Sequence, residues 1–484
     1  MRHFLLLIVI VALTAFWISP LARADLDADI GAVLRDKLIE KNPVGVVVLR
    51  LDSVGEPGKL IYAHNPDLPL MPASNMKILT TSAALDTLGP DFRFQTLLLQ
   101  RGEDLILVGD GDPMFGDWEH LHKSNWDITS AFKLWADKLK KANLTRFHNV
   151  LVDDTVFDQE FVHPNWPRGT LYCGQIAGMN LNTGLIDFYI HYNGPGKTVG
   201  YRTNPATSYV TVTNTCIGGG QNAVSLDRAK DSNRIALRGS ALGSSTSPLS
   251  VAIHDPALYA AQVLAETLMA EGITVSGGFG RDKNARNQLL AKDPVVAVLA
   301  GHESTLAQVI SRTNKDSQNL YAETLCKRTG YAASGKSGSW ENGAAATAAF
   351  LRKIGVAEGA CNLDDGCGLS RNNAVTASAL AAVLRYNFTG KNRDLFLSTL
   401  AVAGVDGTLN HRFKGPAIAL RDRVYAKSGF IEGVSALSGY LKAKDDSCYA
   451  FSILMNGLPS YSNTHAKELQ EQIVLAVDRY ADRK

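Results

Sequence analysis

Residues 72–77 read Pro72-Ala73-Ser74-Asn75-Met76-Lys77, and the reading of the fold works outward from them. A serine and a lysine three apart on a helix share one face, with β-carbons roughly 5–6 Å apart. The amine can then take the hydroxyl's proton, which is the geometry of an activated serine nucleophile. From Ser74 the segment runs through Leu79, Ala83, Ala84 and Leu88 and stops at Gly89-Pro90, a strong helix terminator. Ser74 thus stands at a helix N-terminus, where its backbone N–H lacks an intrahelical partner and can face a developing oxyanion. Just upstream, residues 44–51 and 59–64 are strand-like runs joined by a turn-rich stretch at 52–58, which predicts a hairpin feeding the helix.

Ser-x-x-Lys alone is a weak signal, because Ser130-Ala131-Phe132-Lys133 fits it too. That second site has no strand prelude and reads as the polar face of a helix over residues 127–142. Two further motifs favour Ser74. Ser317-Gln318-Asn319 supplies a second hydroxyl and an amide. Lys427-Ser428-Gly429 precedes two strand-like runs, 436–441 and 449–455, as at the edge of an antiparallel sheet. Look-alikes sit in poorer contexts. Lys336-Ser337-Gly338 lies among loop-favouring residues and reads as a flexible loop. Ser370-Arg371-Asn372 follows the turn-like 365–368, and Tyr461-Ser462-Asn463 comes after the Lys-Ser-Gly element, in the wrong order.

The order Ser-x-x-Lys, Ser-x-Asn, Lys-Ser-Gly resembles the penicillin-recognising serine enzymes. About 240 residues separate Ser74 from Ser317, where compact members need on the order of one small subdomain, so an inserted module is expected. That arrangement resembles the D-alanyl-D-alanine carboxypeptidase/endopeptidase family, the class C low-molecular-mass penicillin-binding proteins. Asp365-Gly366-Cys367-Gly368-Leu369-Ser370-Arg371 is similar to the family's Asp-Gly-Ser-Gly-Leu-Ser-Arg, and Asp406-Gly407-Thr408-Leu409 to its Asp-Gly-Thr-Leu. The resemblance implies an α+β fold of the DD-peptidase/β-lactamase type, an antiparallel sheet flanked by helices. Residues 25–93 and 290–484 are expected to form this discontinuous catalytic domain, with a strand-rich module of one or two subdomains at 94–289.

Roles follow from the side chains, and the resemblance supplies the substrate. Ser74 attacks the carbonyl between the two terminal D-alanines of a peptidoglycan stem peptide, and water hydrolyses the acyl-enzyme. Lys77 serves as base if neutral at some stage, which burial and a nearby cation such as Lys427 favour. Ser317 is placed to relay a proton to the leaving amine, and Asn319 to hydrogen-bond the acyl-side peptide group. Lys427 and the Ser428 hydroxyl form an anion clamp for a terminal carboxylate. Gly429 lets an extended substrate approach the strand as an added edge. By the same resemblance, the Phe430 N–H is the second oxyanion donor, and β-lactam antibiotics are expected as covalent inhibitors.

The chain departs from the family pattern in places. Ser428 stands where threonine is usual, with the hydroxyl preserved, and Gln318 replaces the commoner aspartate. Pro164-Asn165-Trp166-Pro167 matches a Pro-Gly-Trp-x-Trp stretch only in part. Asp153, Asp154 and Phe157 resemble the segment that reads the cationic end of the stem-peptide side chain, which makes Asp154 a candidate substrate ligand. The alternative is an exposed aspartate pair ending a strand.

Arg2 and His3 precede an apolar run over residues 4–18, followed by Ala22-Arg23-Ala24, the pattern of a cleaved secretory leader at residues 1–24. About 15 apolar residues are short for a membrane span. An exported, periplasmic or extracytoplasmic protein with no transmembrane anchor after cleavage is expected. The chain has 49 Lys+Arg against 47 Asp+Glu, and the leader holds Arg2 and Arg23 but no acid, so the mature part balances. No basic stripe argues for nucleic acid. Six cysteines in an exported chain permit disulfides, with Cys173–Cys216 and Cys361–Cys367 the first pairs to consider and free buried thiols the alternative.

Helices are expected over 26–42, 127–142, 256–271, 306–312, 319–329, 344–354 and 377–386, with an amphipathic helix at 464–480 packing on the sheet, a membrane-surface anchor that would make the protein peripheral to the membrane being the alternative. Strands are expected at 105–108, 150–153, 185–192, 210–213 and 235–238. Asp110-Gly111-Asp112-Pro113 lacks the further oxygens of a calcium loop and reads as a turn. The histidines lack zinc-peptidase spacing. No metal or cofactor is implied. A D,D-carboxypeptidase, with D,D-endopeptidase activity beside it, is the favoured reading. The alternatives are a β-lactamase or serine esterase on the same constellation, and a catalytically silent cell-wall binding protein.

Overall fold

The structure, a computed structural model, describes residues 20–51, 58–167 and 174–483. The apolar run of the leader, the hairpin turn at 52–57 and Cys173 lie outside the described residues. Among those described, no helix is long and apolar enough to cross a membrane. The first helix, Pro20–Leu34, ends well before residue 42. The Asp36 carboxylate accepts the Leu38 N–H at 2.8 Å, and the Ile39 and Glu40 N–H groups turn back to the Asp36 carbonyl, so local turns replace the helix.

Six strands form the sheet that organises the site. Val44–Leu51 pairs with Lys59–His64 on one side and Cys448–Asn456 on the other. The sheet continues through Val434–Lys442 and Val424–Ile431 to the short edge strand Ala401–Val402, antiparallel throughout. Alternation along the strands sends side chains to two covered faces. Val44, Val46, Val48, Leu437, Leu441, Phe451 and Ile453 pack with Leu469, Ile473, Val474 and Val477 of the helix Asn463–Asp482, as expected for the amphipathic C-terminal segment. Ala436, Tyr440, Ala450 and Leu454 face the opposite core, shared with Met76, Ile78 and Leu79 of the helix Met76–Leu88 and with Leu320, Tyr321 and Leu325 of the helix Asn319–Ser334. The fold is α+β, an antiparallel sheet flanked by helices whose strands come from both ends of the chain.

The chain between these halves builds its own sheets. Five strands lie in the order Phe279–Arg281, Val150–Asp153, Asp104–Val108, Arg93–Arg101, Ala297–Thr305. The last two pair antiparallel, and the Leu306 N–H then meets the Phe92 carbonyl at 2.9 Å. Departure and return are thus adjacent, and the return strand runs to Thr305, past residue 289. Strands Leu185–His191, Gly200–Asn204 and Leu249–Ala252 make a smaller sheet, and four more from 211 to 241 make another. The helices Ser130–Lys141 and Pro256–Ala270 cover a separate core containing Phe132, Trp135, Val150 and Leu264.

Cys361 and Cys367, one of the pairs to consider, do not form a disulfide, and Cys326 and Cys448 are likewise free thiols, as the alternative reading had it. Cys361 lies in the short strand Cys361–Asn362, whereas the following turn carries Cys367 inward, its Sγ 3.7 Å from an Asp365 oxygen. Cys216 is free and buried, and its proposed partner Cys173 is outside the described residues.

Candidate active site

Ala73–Asn75 forms a 3-10 turn that runs directly into the helix Met76–Leu88. Ala73 itself is left-handed, with φ 46°, an unfavourable conformation for a residue with a β-carbon. Gly368, at φ 89°, packs its backbone so closely on this residue that an added β-carbon would overlap the Ala73 carbonyl. The turn carrying Ser74 is thereby clamped from the 365–368 loop.

Lys77 is 0% exposed. Its Nζ donates to Ser74 Oγ at 2.9 Å, Asn319 Oδ1 at 2.7 Å and the Cys367 carbonyl at 2.9 Å. Three acceptors match the three N–H bonds of an ammonium. Asn319 opens the helix Asn319–Ser334. Ser317 lies in the turn between it and the helix Leu306–Lys315, with φ 59°, and that turn is tied to the 406–409 loop by Lys315 Nζ to Asp406 at 2.5 Å.

Lys427, also 0% exposed, is on the strand Val424–Ile431 with Nζ 2.8 Å from the Ser428 carbonyl. Burial first, and then the charge of Lys77, push its amine well below the ordinary lysine range, with Asp316 acting the other way. Ser428 Oγ donates to Thr408 Oγ1 at 2.9 Å. The edge strand Ala401–Val402 covers only Tyr425 and Ala426, so residues 427–430 present a strand edge without a strand beside it, and Phe430 is 50% exposed.

Gly429 sits so near the nucleophile turn that an added β-carbon would lie 2.8 Å from the Pro72 carbonyl oxygen, 3.0 Å from Asn75 Nδ2 and 3.1 Å from the Ser74 nitrogen. Its φ is not left-handed, so lack of space, not strain, excludes a side chain. Gly429→Val is accordingly expected to push the strand from Ser74 and slow Ser74 acylation by about 100-fold, read as penicillin-binding kinetics, with circular dichroism unchanged.

Asp154 is not part of this group. It is 1% exposed, and its two oxygens meet Arg281 Nε at 3.1 Å and Nη2 at 3.2 Å, while Arg281 also grips Asp255 at 2.7 and 2.8 Å. The aspartate pair is therefore not exposed, and Asp154 is half of a buried ion pair with Arg281. The other Ser-x-x-Lys separates as expected: Ser130 Oγ accepts the Asp127 N–H at 2.7 Å and Lys133 is exposed. Lys336-Ser337-Gly338 is a pinned turn, not a flexible loop, with the Gly338 N–H on the Val156 carbonyl at 2.8 Å and Ser337 Oγ on that of Thr155 at 2.9 Å. In the 110–113 turn, Asp110 pairs with Arg286 at 3.1 Å, and Asp112 accepts the Ser304 hydroxyl at 2.6 Å.

Several contributors lie in stretches that resembled family motifs but had no role read for them. The Cys367 carbonyl is a backbone group. Asp365 accepts the N–H of Gly368 and of Ser370 and the Asn373 amide, each at 2.7 Å, and the Trp166 indole at 2.8 Å, so Trp166 couples the 163–167 stretch to the loop. Asn75 is buried with neither amide atom hydrogen-bonded. Glu323, Asp365 and Cys367 place potential metal-ligating atoms within 4.8 Å of one another, the one such cluster among the described residues. The Asp365 oxygens and Glu323 Oε2 already accept N–H groups, so this is a hydrogen-bond hub and a poor fit for a cation.

A buried amine bonded to a hydroxyl, beside a second buried amine and an unpaired strand edge, can activate the hydroxyl, bind an anion and seat an extended chain. Comparison with known proteins supplies the family. A model of the D-Ala-D-Ala carboxypeptidase 3 (S13) family matches residues 26–480. The D-alanyl-D-alanine carboxypeptidase of Actinomadura sp. (strain R39) is 31% identical over 94% of this chain and 85% of its own. D-alanyl-D-alanine carboxypeptidase DacB of Haemophilus influenzae is 28% identical over 88% and 87%. The crystal structure of penicillin binding protein 4 (dacB) from Haemophilus influenzae superposes with a TM-score of 0.74 at 23% identity, over 93% of this chain and 99% of that one; a second structure of it is a complex with a β-lactam. The chain therefore belongs to the D-Ala-D-Ala carboxypeptidase 3 (S13) family and is a D-alanyl-D-alanine carboxypeptidase, a peptidoglycan-acting hydrolase.

Proposed function

We propose that Ser74 is the acylated nucleophile and Lys77 its general base, in an exported enzyme whose catalytic part, from residue 25 to about 93 and resuming after the return strand Ala297–Thr305, is interrupted by an inserted module. The observation that carries this reading is the three-way hydrogen bonding of Lys77 Nζ to Ser74, Asn319 and Cys367. Once Lys77 is neutral, Asn319 Oδ1 and the Cys367 carbonyl retain its two N–H bonds, and the lone pair falls toward Ser74 Oγ. Ser74 Oγ then forms its bond to the penultimate D-alanine carbonyl while its proton passes to Lys77. The N–H groups of Ser74 and Phe430 hold the oxyanion. Ser317 passes a proton to the departing amine, D-alanine leaves, and water hydrolyses the ester.

Lys427 and Ser428 hold the terminal carboxylate, Asn319 the acyl-side amide, and the open edge at Gly429 the extended peptide. Because burial and Lys77 disfavour the charged form of the Lys427 amine, an arriving carboxylate supplies a counter-charge and favours proton uptake. Binding of a D-Ala-D-Ala peptide to Ser74→Ala is thus expected to consume protons at alkaline pH, seen as a dependence of calorimetric binding enthalpy on buffer ionisation heat; Lys427→Met abolishes it.

The reading is tested by D-alanine release from a peptide ending in D-Ala-D-Ala and by cleavage of a cross-linked muropeptide. Release by the wild type and none by Ser74→Ala is expected, and products from the cross-linked substrate add the endopeptidase activity. Equal release by Ser74→Ala would contradict the assignment. β-Lactams are proposed as covalent inhibitors that enter as substrate mimics and stay on Ser74.

A further inference from the structure

Glu323 belongs to the helix that begins with Asn319, one turn further on, and is 0% exposed. Its Oε2 accepts the Gly366 N–H at 3.1 Å and the Trp340 indole N–H at 2.7 Å. Thr80 Oγ1 donates to the Gly366 carbonyl at 2.7 Å, and the next carbonyl, that of Cys367, accepts from Lys77. One helix therefore grips Lys77 twice, directly through Asn319 and indirectly through Glu323 and the Gly366-Cys367 backbone. Glu323 Oε1 is buried without a hydrogen-bond partner. Nothing in the reaction as written above uses this carboxyl group.

We propose that Glu323 is a positioning residue for Ser74 acylation: by anchoring Gly366 it keeps the Cys367 carbonyl on the Lys77 amine and so keeps the amine aimed at the Ser74 hydroxyl. The inference rests on the reading of Lys77 as the base. The adjacent Asp365 carboxylate makes the arrangement sensitive to charge. Burial first, and Asp365 second, raise the Glu323 carboxyl to about 7, with the Cys367 thiol, the Trp340 indole and the Gly366 N–H acting the other way, so above that pH charging it places a negative charge among Asp365, Cys326 and Lys327. The linkage has a definite sign. A carboxyl raised on folding binds more protons in the native than in the unfolded state between its two values, so its contribution to stability is present at low pH and fades as pH rises toward and through about 7.

The test compares penicillin acylation by the wild type, Glu323→Ala, Glu323→Gln and Ser74→Ala. Glu323→Ala is expected to acylate on the order of 10- to 100-fold more slowly, with the non-covalent binding constant unchanged. Glu323→Gln, whose amide oxygen replaces Oε2 on both N–H groups, is expected to recover most of the rate. It should also lose the part of the wild-type pH–rate profile that titrates near 7 and gain stability relative to the wild type as pH rises through that range. A Glu323→Ala rate equal to the wild type, with Ser74→Ala unreactive, would overturn the positioning role and leave the Ser74–Lys77 reading intact. A Gln variant with an unaltered pH profile, or as slow as an alanine variant, would likewise overturn it. If Glu323→Ala does not fold, the Gln profile decides alone. Acylation of Ser74→Ala at the wild-type rate would instead remove the reading underneath.

Discussion

Lys77→Ala is expected to slow acylation of Ser74 by penicillin roughly 10³–10⁴-fold, measured as the second-order rate of adduct formation. The size of the effect comes from what the amine does. Ser74 Oγ is a poor nucleophile while it keeps its proton, and the Lys77 nitrogen, hydrogen-bonded to it at 2.9 Å, is the base in the proposed reaction. Alanine also removes the Lys77 donor from Asn319 Oδ1 and the Cys367 carbonyl, each such hydrogen bond being worth about 1 kcal/mol net. Loss of melting temperature should therefore accompany the loss of rate. Lys77→Arg is not expected to rescue it, because guanidinium keeps its proton. A Lys77→Ala enzyme that acylates within threefold of the wild type would remove Lys77 from the proton path.

Gly368→Ala should do comparable damage from outside the reacting group. The residue is left-handed at φ 89°, and its new β-carbon would overlap the Ala73 carbonyl. Strain of this kind costs about 1–3 kcal/mol, before the overlap itself is counted. Relief requires moving either the 365–368 loop, which carries the Cys367 acceptor, or Ala73, which precedes the nucleophile. A displacement of about 1 Å there is enough for a 100-fold loss. The expected result is a urea midpoint well below the wild type together with slowed acylation. Acylation at the wild-type rate would show that the loop does not set the Ser74 turn.

The cluster proposed to react was legible because its residues lie close together in sequence. Ser74 and Lys77 share a helix turn, Ser317 and Asn319 share a helix start, and Lys427 to Phe430 lie along one strand. The interrupted sheet was legible because alternating strands such as Val44–Leu51 and Cys448–Asn456 stood at opposite ends of the chain. What failed depended on contacts distant in sequence or on backbone. The pairing of Asp154 with Arg281, more than a hundred residues on, had no local signal. The Cys367 carbonyl is invisible as a side-chain pattern, and Glu323 read as an ordinary helix residue. Arg93–Arg101 was not read as a strand, because its central Leu97-Leu98-Leu99 does not alternate. Ala297–Thr305 hid likewise, behind Gly301 and a register shift between Val298 and Ala300.

The central claim is that Ser74 carries the acyl group, and peptide-level mass spectrometry after incubation with penicillin tests it most directly. The account predicts one penicilloyl adduct on the peptide containing Ser74 and none in Ser74→Ala. An adduct on Ser130 or another residue, or drug hydrolysis that persists in Ser74→Ala, would contradict it.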